Sequence, residues 1–234
     1  MTPAVASPRT LLALVRLLQL ASPTLPIGAF SYSQGLERVV EDGVVRDFAT
    51  AKNWLADVLD LVVAPGDAAL AWQMLVAAAA ADAPALVRWN AWFRASRESA
   101  ELRAETEQMG GSLLRLVDDL ALADAFAREA AAAMRPVTLP GAWALAARAF
   151  RIAPADALCA YVWSWLENAV LAAMKSIPLG QVAGQRLLLE LGERIPAALD
   201  AARAQPVDAI ASFAPGLAIA SARHETQYTR LFRS

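Results

Sequence analysis

The sequence predicts an all-α protein, a single-domain bundle of about ten helices packed around one central apolar helix. Ala, Leu, Arg and Glu dominate the composition, and β-branched runs bounded by turn residues are nearly absent. No fixed repeat period and no low-complexity linker divides the 234 residues, so one domain is expected. A domain of this length buries enough surface to fold without disulfides, and Cys159 is the only cysteine.

Caps and stops place the helices along the chain. Asp47 is suited to cap a helix with apolar residues on one face, and Pro65-Gly66 is expected to end that helix. Asp67 is suited to cap the helix that follows. The predicted helices span residues 9–20, 32–42, 48–63, 67–81, 84–97, 99–118, 119–133, 141–149, 154–175 and 180–193, with shorter ones near 197–204 and 207–220.

Prolines and glycines mark further helix boundaries. Pro84 and Pro154 suit first-turn positions, where a missing N–H removes no hydrogen bond. Gly43 is expected to stop one helix, and the Gly110-Gly111 pair is expected to break another.

The central helix is identified by its lack of a polar face. Residues 158–174, LCAYVWSWLENAVLAAM, are apolar on nearly every side, and only Ser164, Glu167 and Asn168 are polar. A helix of this kind is surrounded by other helices. We therefore expect it to lie at the middle of the bundle.

Charge and hydropathy exclude several classes of partner and location. The formal net charge of −2 provides no field that attracts nucleic acid or an anionic membrane. Arg16 and Gln19 interrupt the N-terminal apolar run, so a signal peptide is not predicted. The apolar, uncharged stretch of residues 68–81 is too short to span a bilayer. A cytoplasmic protein without nucleic-acid or membrane partners is expected.

The residues that carry most enzyme chemistry are sparse. His224 is the only histidine, and with one cysteine this excludes the usual Cys/His zinc sites. Residues 180–184, GQVAG, begin like a phosphate loop, but Gln185 and Arg186 stand where Lys and Ser/Thr are required. Acidic pairs such as Glu105/Glu107 are interpreted as solvated faces. We predict no catalytic, cofactor-binding or metal-binding residue.

Residues 22–37, SPTLPIGAFSYSQGLE, interrupt the helical pattern. Pro23 and Pro26 keep this segment out of a helix, and Gly28 permits a turn. A short, stiff loop loses little entropy on docking, so the segment is suited to contact a partner. The alternative is a segment that only packs between helices. Three of its side chains are predicted to bind a partner: Phe30, Tyr32 and Ser33.

A second distinctive stretch is MKSIPLGQVAGQRLL, residues 174–188, where one helix ends and another begins after Pro178. Lys175 follows an almost uncharged helix, so it either reaches along the surface to solvent or presents its charge to a partner. The partner-binding candidates of this stretch are Lys175, Gln181, Gln185 and Arg186.

The last stretch, RHETQYTRLFRS at residues 223–234, is basic within an acidic protein and carries interleaved aromatic residues. Arg and Tyr are enriched at binding hot spots, so we expect a partner-docking tail that follows a helical domain of residues 1–222. Deletion of this tail is expected to leave the melting temperature nearly unchanged; the alternative is that its apolar residues fold back onto the domain. The candidate contact residues are Arg223, His224, Glu225, Tyr228, Arg230, Phe232 and Arg233.

These three stretches, in this order and at these separations, resemble the urease accessory protein F family (UreF). Residues 45–170 match only in helical character and in Trp and Leu content. The resemblance implies an all-helical, dimeric protein that binds the D (or H) accessory protein. Together these recruit the accessory GTPase, UreG, and deliver nickel to apo-urease.

The resemblance thus implies a non-enzymatic maturation factor without a cofactor. The alternative is a GTPase activator that supplies a cation in trans to the transition state of phosphoryl transfer. The arginines available for that role are Arg186, Arg223, Arg230 and Arg233.

The high apolar fraction also favours a homodimer, because large exposed apolar patches mark interfaces. Residues 183–191 are the candidate face, since Gly180 and Gly184 allow close approach of another backbone, although internal packing would explain them equally well.

Overall fold

The computed structural model describes residues 8–234, and within that range it consists of helices and short connections, with no β-strand. The predicted all-α, single-domain fold is confirmed. The α-helices are α1 Pro8–Leu20, α2 Leu36–Glu41, α3 Phe48–Val58, α4 Ala69–Ala79, α5 Ala83–Ala95, α6 Ala100–Asp119, α7 Ala125–Ala133, α8 Leu139–Phe150, α9 Pro154–Ser176, α10 Gln181–Gly192, α11 Ile195–Ala204 and α12 Pro215–His224. Two 3-10 turns, Ala29–Ser31 and Val207–Ala209, lie in connections.

Helix α9 is the central helix that the sequence predicted. It contacts α1, α2, α3, α4, α8, α10 and α11. The side chains of Leu158, Val162, Leu166 and Val170 are almost completely buried, and they form one stripe of the hydrophobic core. The indole N–H of Trp143 donates to the backbone oxygen of Ala157 at 2.9 Å, which joins α8 to the start of α9.

The predicted stop at Pro65-Gly66 is wrong, because the chain stays helical from Phe48 to Ala79. A π-helical segment, Leu59–Ala68, joins α3 to α4. Pro65 lacks a backbone N–H, and in a π-helix each N–H pairs with the oxygen five residues earlier, so the helix changes its hydrogen-bond register around this proline. The backbone N–H of Phe213 also donates to the oxygen of Leu61 in this segment at 3.2 Å.

The predicted break at Gly110-Gly111 is also wrong, since α6 continues through both glycines to Asp119. A Cβ on Gly110 would lie 2.6 Å from the carbonyl carbon of Thr138, whereas a Cβ on Gly111 would meet only the Arg115 side chain, at 3.7 Å. Gly110 thus allows α6 to contact the segment that precedes α8.

Several predicted boundaries are confirmed. Asp47 caps α3 by accepting the backbone N–H of Thr50 at 2.9 Å, and Gly43 follows α2 with a φ of 73°. Pro84 and Pro154 lie in the first turns of α5 and α9.

The predicted helix near 207–220 is displaced. Residues 210–214 lie between the short 3-10 turn and α12, which begins at Pro215. Asp67 caps no helix, because it lies inside the π-helical segment and binds the side chain of Arg97.

Two helices are long and apolar enough to cross a membrane by length and composition. They are Phe48–Ala79 and Pro154–Ser176, with mean hydropathies of 1.5 and 1.2. In the most apolar window of each, 67% and 50% of the residues are buried within the protein. Burial of this kind is typical of core helices, and both helices pack against the rest of the bundle.

We predict opposite effects of alanine at the two adjacent glycines of α6. Gly110→Ala should lower the free energy of unfolding by about 1–3 kcal/mol, because its Cβ collides with backbone atoms. Gly111→Ala should raise it by up to about 1 kcal/mol, because alanine favours helix where space allows. Urea unfolding followed by circular dichroism measures both. Equal effects of the two substitutions would contradict the close contact at Thr138.

Candidate functional site

The three stretches singled out in the sequence meet at one surface cleft. We call it the Lys175 surface; it is lined by Phe30, Ser31, Lys175, Leu231, Phe232 and Arg233. The ammonium nitrogen of Lys175 lies 5.9 Å from the ring centroid of Phe30 and 5.6 Å from that of Phe232. Cation–π contact therefore joins the end of α9 to the opening segment, residues 22–37, and to the C-terminal segment, residues 225–234.

Backbone hydrogen bonds align the opening segment with residues 233–234. The N–H of Arg233 donates to the oxygen of Ser31 at 2.8 Å. The N–H and the hydroxyl of Ser33 both donate to the backbone oxygen of Ser234, each at 2.6 Å. Residues about 200 positions apart in the sequence thus form one side of the cleft.

Glu37 at the start of α2 anchors the C-terminal segment. Its two carboxylate oxygens accept the backbone N–H groups of Leu231 at 2.6 Å and Phe232 at 3.1 Å. The Nε2 atom of His224 also lies 3.1 Å from Glu37, and its Nδ1 atom lies 2.7 Å from Glu101 on α6. His224 therefore bridges two carboxylates from a completely buried position at the end of α12.

Exposure divides the predicted contact residues of the opening segment. Phe30 is 62% exposed, whereas Tyr32 and Ser33 are buried at 4% and 6%. The Tyr32 hydroxyl donates to Gln108 Oε1 at 2.7 Å, and burial, with the Glu105 charge second, raises the pKa of this phenol. The prediction that Tyr32 and Ser33 are presented to a partner is therefore corrected, because both serve internal hydrogen bonds.

The segment predicted as a separate tail packs onto the domain. Helix α12 runs to His224, so no structural boundary falls at residue 222. Phe232 is 6% exposed and Ser234 only 1%, so these residues belong to the packed interior. This burial contradicts the expectation that removing residues 223–234 leaves the melting temperature unchanged.

The charged candidates of that segment differ in their pairing. Arg223 binds Asp42 at 2.8 Å and Arg230 binds Glu101 at 2.5 Å. Glu225 accepts the backbone N–H of Ala100 at 2.8 Å and so helps to cap α6. Tyr228 is fully exposed.

The Lys175 surface carries two cations, Lys175 and Arg233, and the Arg233 side chain also lies close enough to the Tyr32 hydroxyl to act on its pKa. Neither Lys175 nor Arg233 forms an ion pair with any side chain in the part of the chain that the structure describes. They lie beside the exposed apolar groups of Phe30 and Leu231. Such a surface is suited to a partner with apolar side chains and carboxylates.

Gln181, Gln185 and Arg186 are exposed on α10. A Cβ on Gly184 would lie 2.2 Å from the sulfur of Met174, so this glycine serves the contact between α10 and α9. A Cβ on Gly180 would meet no atom within 4 Å. Packing within the chain, the alternative to a dimer contact, therefore explains Gly184.

Sequence reasoning missed the acidic residues that hold the C-terminal segment. Glu105 was expected on a solvated face but is 3% exposed, and burial raises its pKa to about 7. Its carboxylate accepts the Ser234 hydroxyl and the Gln34 amide, each at 2.7 Å. Helical spacing could have placed it inside, because Glu105 lies three residues after the buried Leu102 and four before the buried Met109.

Among residues 8–234, no three His, Cys, Asp or Glu side chains are placed to hold a metal ion. The expectation that the chain has no metal-binding residue stays a prediction.

Known proteins resemble this chain over almost its whole length. The family model described as UreF matches residues 45–192. The urease accessory protein UreF of Azoarcus sp. (strain BH72) is 54% identical over 229 residues, covering 96% of this chain and 97% of that relative. The urease accessory protein UreF of Dechloromonas aromatica (strain RCB) is 51% identical, covering 97% and 100%. A bifunctional urease accessory protein UreEF of Bordetella bronchiseptica is 50% identical, covering 94% of this chain and 52% of that relative.

We predict that the C-terminal segment contributes to stability. Deletion of residues 229–234 removes the buried Phe232 and the hydrogen bonds that Glu37, Glu105 and Ser33 form with this segment. The free energy of unfolding should fall by about 3 kcal/mol or more, and the melting temperature by roughly 6 °C or more.

Thermal unfolding by circular dichroism measures this fall, and Tyr228→Ala serves as the control because that side chain is fully exposed. A truncated chain that melts with the full-length protein would mean that the segment is only loosely attached.

Proposed function

The chain belongs to the UreF family of urease accessory proteins, and we propose that it acts in urease maturation by binding other proteins rather than by catalysis. In this proposal it associates with the D/H accessory protein, and the pair recruits the accessory GTPase, UreG. Nickel is the cargo, which the assembly delivers to apo-urease. We expect the protein to act in the cytoplasm.

The observation that carries the proposal is the assembly of the Lys175 surface from three distant parts of the chain. The buried side chain of Phe232 holds the C-terminal residues of the cleft in place. The exposed residues of the cleft are Phe30, Leu231, Lys175 and Arg233. Hydrophobic groups at the centre and charges at the rim are the usual anatomy of a protein interface. The relative named UreEF, in which a matching region is part of a longer accessory protein, supports a role beside other accessory functions.

A GTPase-activating role is the second candidate function. The ion pairs of the arginines limit which of them could supply a cation in trans. An arginine that acts in trans must be able to leave its own protein's surface. Arg223 and Arg230 are held by Asp42 and Glu101, whereas Arg233 and Arg186 form no ion pair with the residues that the structure describes. If activation occurs, Arg233 or Arg186 should be the source.

Single-turnover GTP hydrolysis by the GTPase, with and without this protein, separates the two candidates. A rate increase that Arg233→Ala or Arg186→Ala abolishes, and that Arg223→Ala leaves intact, supports activation. Assembly of the complex with unchanged hydrolysis supports the binding role alone.

We predict that Lys175→Ala weakens capture of the partner complex by about fivefold or more, the effect of losing a contact worth about 1 kcal/mol or more. The melting temperature should change little, because Lys175 is exposed and makes only weak cation–π contacts. Binding to the purified D/H accessory protein and GTPase, measured by surface plasmon resonance, checks this expectation.

Lys52→Ala is the matched control, since Lys52 is the only other lysine and is partly exposed on α3, where it pairs with Glu190. Equal affinity of the Lys175→Ala and Lys52→Ala variants would remove Lys175 from the interface.

We also propose that the protein forms a homodimer through α10. Val182 and Leu189, seven residues apart on one face of this helix, are 76% and 67% exposed. Apolar side chains this exposed on one face favour burial against a second copy.

The double substitution Val182→Asp with Leu189→Asp should therefore yield a monomer by light scattering at micromolar concentration. Val76→Asp with Leu120→Asp, which adds the same charge at two exposed apolar residues outside α10, tests whether added charge alone has this effect. A dimer that survives the double substitution would place the interface elsewhere.

A further inference from the structure

Glu105 is the one carboxyl group that links α6 to both chain segments behind the Lys175 surface. One of its oxygens accepts the hydroxyl of Ser234 and the other accepts the amide of Gln34, each at 2.7 Å. Gln34 immediately follows Ser33, whose N–H and hydroxyl hold the backbone oxygen of Ser234. The carboxyl group therefore lies at the point where the opening segment and the C-terminal segment meet.

Within residues 8–234, this carboxyl group contacts no cation directly. Arg97, from the connection before α6, already forms two hydrogen bonds with Asp67 of the π-helical segment, at 2.5 and 3.1 Å. The other titratable groups that face Glu105 are the hydroxyls of Tyr32 and Tyr161 and, beyond Tyr32, Arg233. An ionised Glu105 is thus a buried charge whose only direct partners are two neutral donors.

Burial is the largest cause that moves the pKa of Glu105, and it raises the pKa to about 7. The hydrogen bonds from Ser234 and Gln34 and the charge of Arg97 lower it, and the charge of Asp67 raises it. Exposed to solvent, a glutamate titrates near its ordinary value of about 4.3. The packed arrangement therefore favours the protonated carboxyl, and its advantage is lost as pH rises from about 4.5 towards about 7.

The C-terminal segment is the element that can move to give Glu105 access to water. Residues 225–234 contain no helix, and hydrogen bonds to Glu37, Ser31, Ser33 and Glu105 hold the last residues in place. Local opening of such a segment requires less free energy than opening of the helical core. Its release would remove Leu231 and Arg233 from the Lys175 surface.

We propose that protonation of Glu105 controls the docking of residues 231–234, so that the Lys175 surface is assembled most firmly below neutral pH and loosens as pH rises. The effect on partner binding rests on the proposed function. The effect on the segment itself does not, because it is a property of the isolated chain.

Hydrogen exchange of the full-length protein without any partner tests this proposal. Mass spectrometry reports the protection of the backbone amides in residues 229–234 at about pH 6 and about pH 8, corrected for the intrinsic pH dependence of exchange. We expect protection to fall about tenfold, the change that a shift in pKa from about 4.5 to about 7 produces over this range. Equal protection at the two pH values would overturn the proposal.

Two substitutions identify the group responsible. Glu105→Gln keeps an acceptor for Ser234 but cannot ionise, so its protection should be the same at both pH values. Glu107→Gln alters a partly exposed glutamate of the same helix, which pairs with Arg94, and should keep the tenfold fall. A fall that persists in Glu105→Gln would mean that a group other than Glu105 controls the docking, and would also overturn the proposal.

Partner binding is measured separately, so the two proposals can fail independently. If the protection changes as expected but the accessory proteins do not bind, the proposed function fails and the pH control stands.

Discussion

The Lys175 surface of this protein depends on three buried or nearly buried glutamates that hold the end of the chain in place. Glu37 accepts two backbone N–H groups of the C-terminal segment, Glu101 binds His224 and Arg230, and Glu105 binds Ser234. An acceptor carboxylate meets unpaired backbone donors better than a neutral group does. Without these contacts, the segment that completes the Lys175 surface would be attached by Phe232 and by the hydrogen bonds of residues 233–234 to Ser31 and Ser33.

Much of the fold follows from local sequence patterns, and the errors arise where distant parts of the chain meet. Caps such as Asp47 and the apolar character of α9 depend on neighbouring residues, so they could be predicted. The passage of a helix through Pro65 could not, because proline and glycine locally indicate a stop. The helix instead continues as a π-helical segment, in which Leu61 accepts the N–H of Phe213, about 150 residues away in the sequence. The need for glycine at position 110 could not be predicted either, because it arises from contact with Thr138 in another segment of the chain.

The candidate site, too, could be predicted only in part from the sequence. The sequence identified three stretches with unusual composition, and the structure brings one or more residues of each into a single cleft. Their exposure was less predictable: Phe30 and Tyr32 are two residues apart in one loop, yet one is exposed and the other is buried. That difference arises because Tyr32 meets Gln108 of α6, a contact that only the tertiary arrangement determines.

Because buried residues hold the Lys175 surface in place, substitutions that lower stability are also expected to weaken partner binding. Substitution of Glu37 or removal of the C-terminal residues would disturb partner binding without touching any exposed contact, because both loosen the segment that carries Leu231 and Arg233. Loss of binding in such variants therefore identifies the support of the surface, not its contacts. Only substitutions of exposed side chains that leave the packing intact, such as those at Lys175 and Phe30, report on the interface itself.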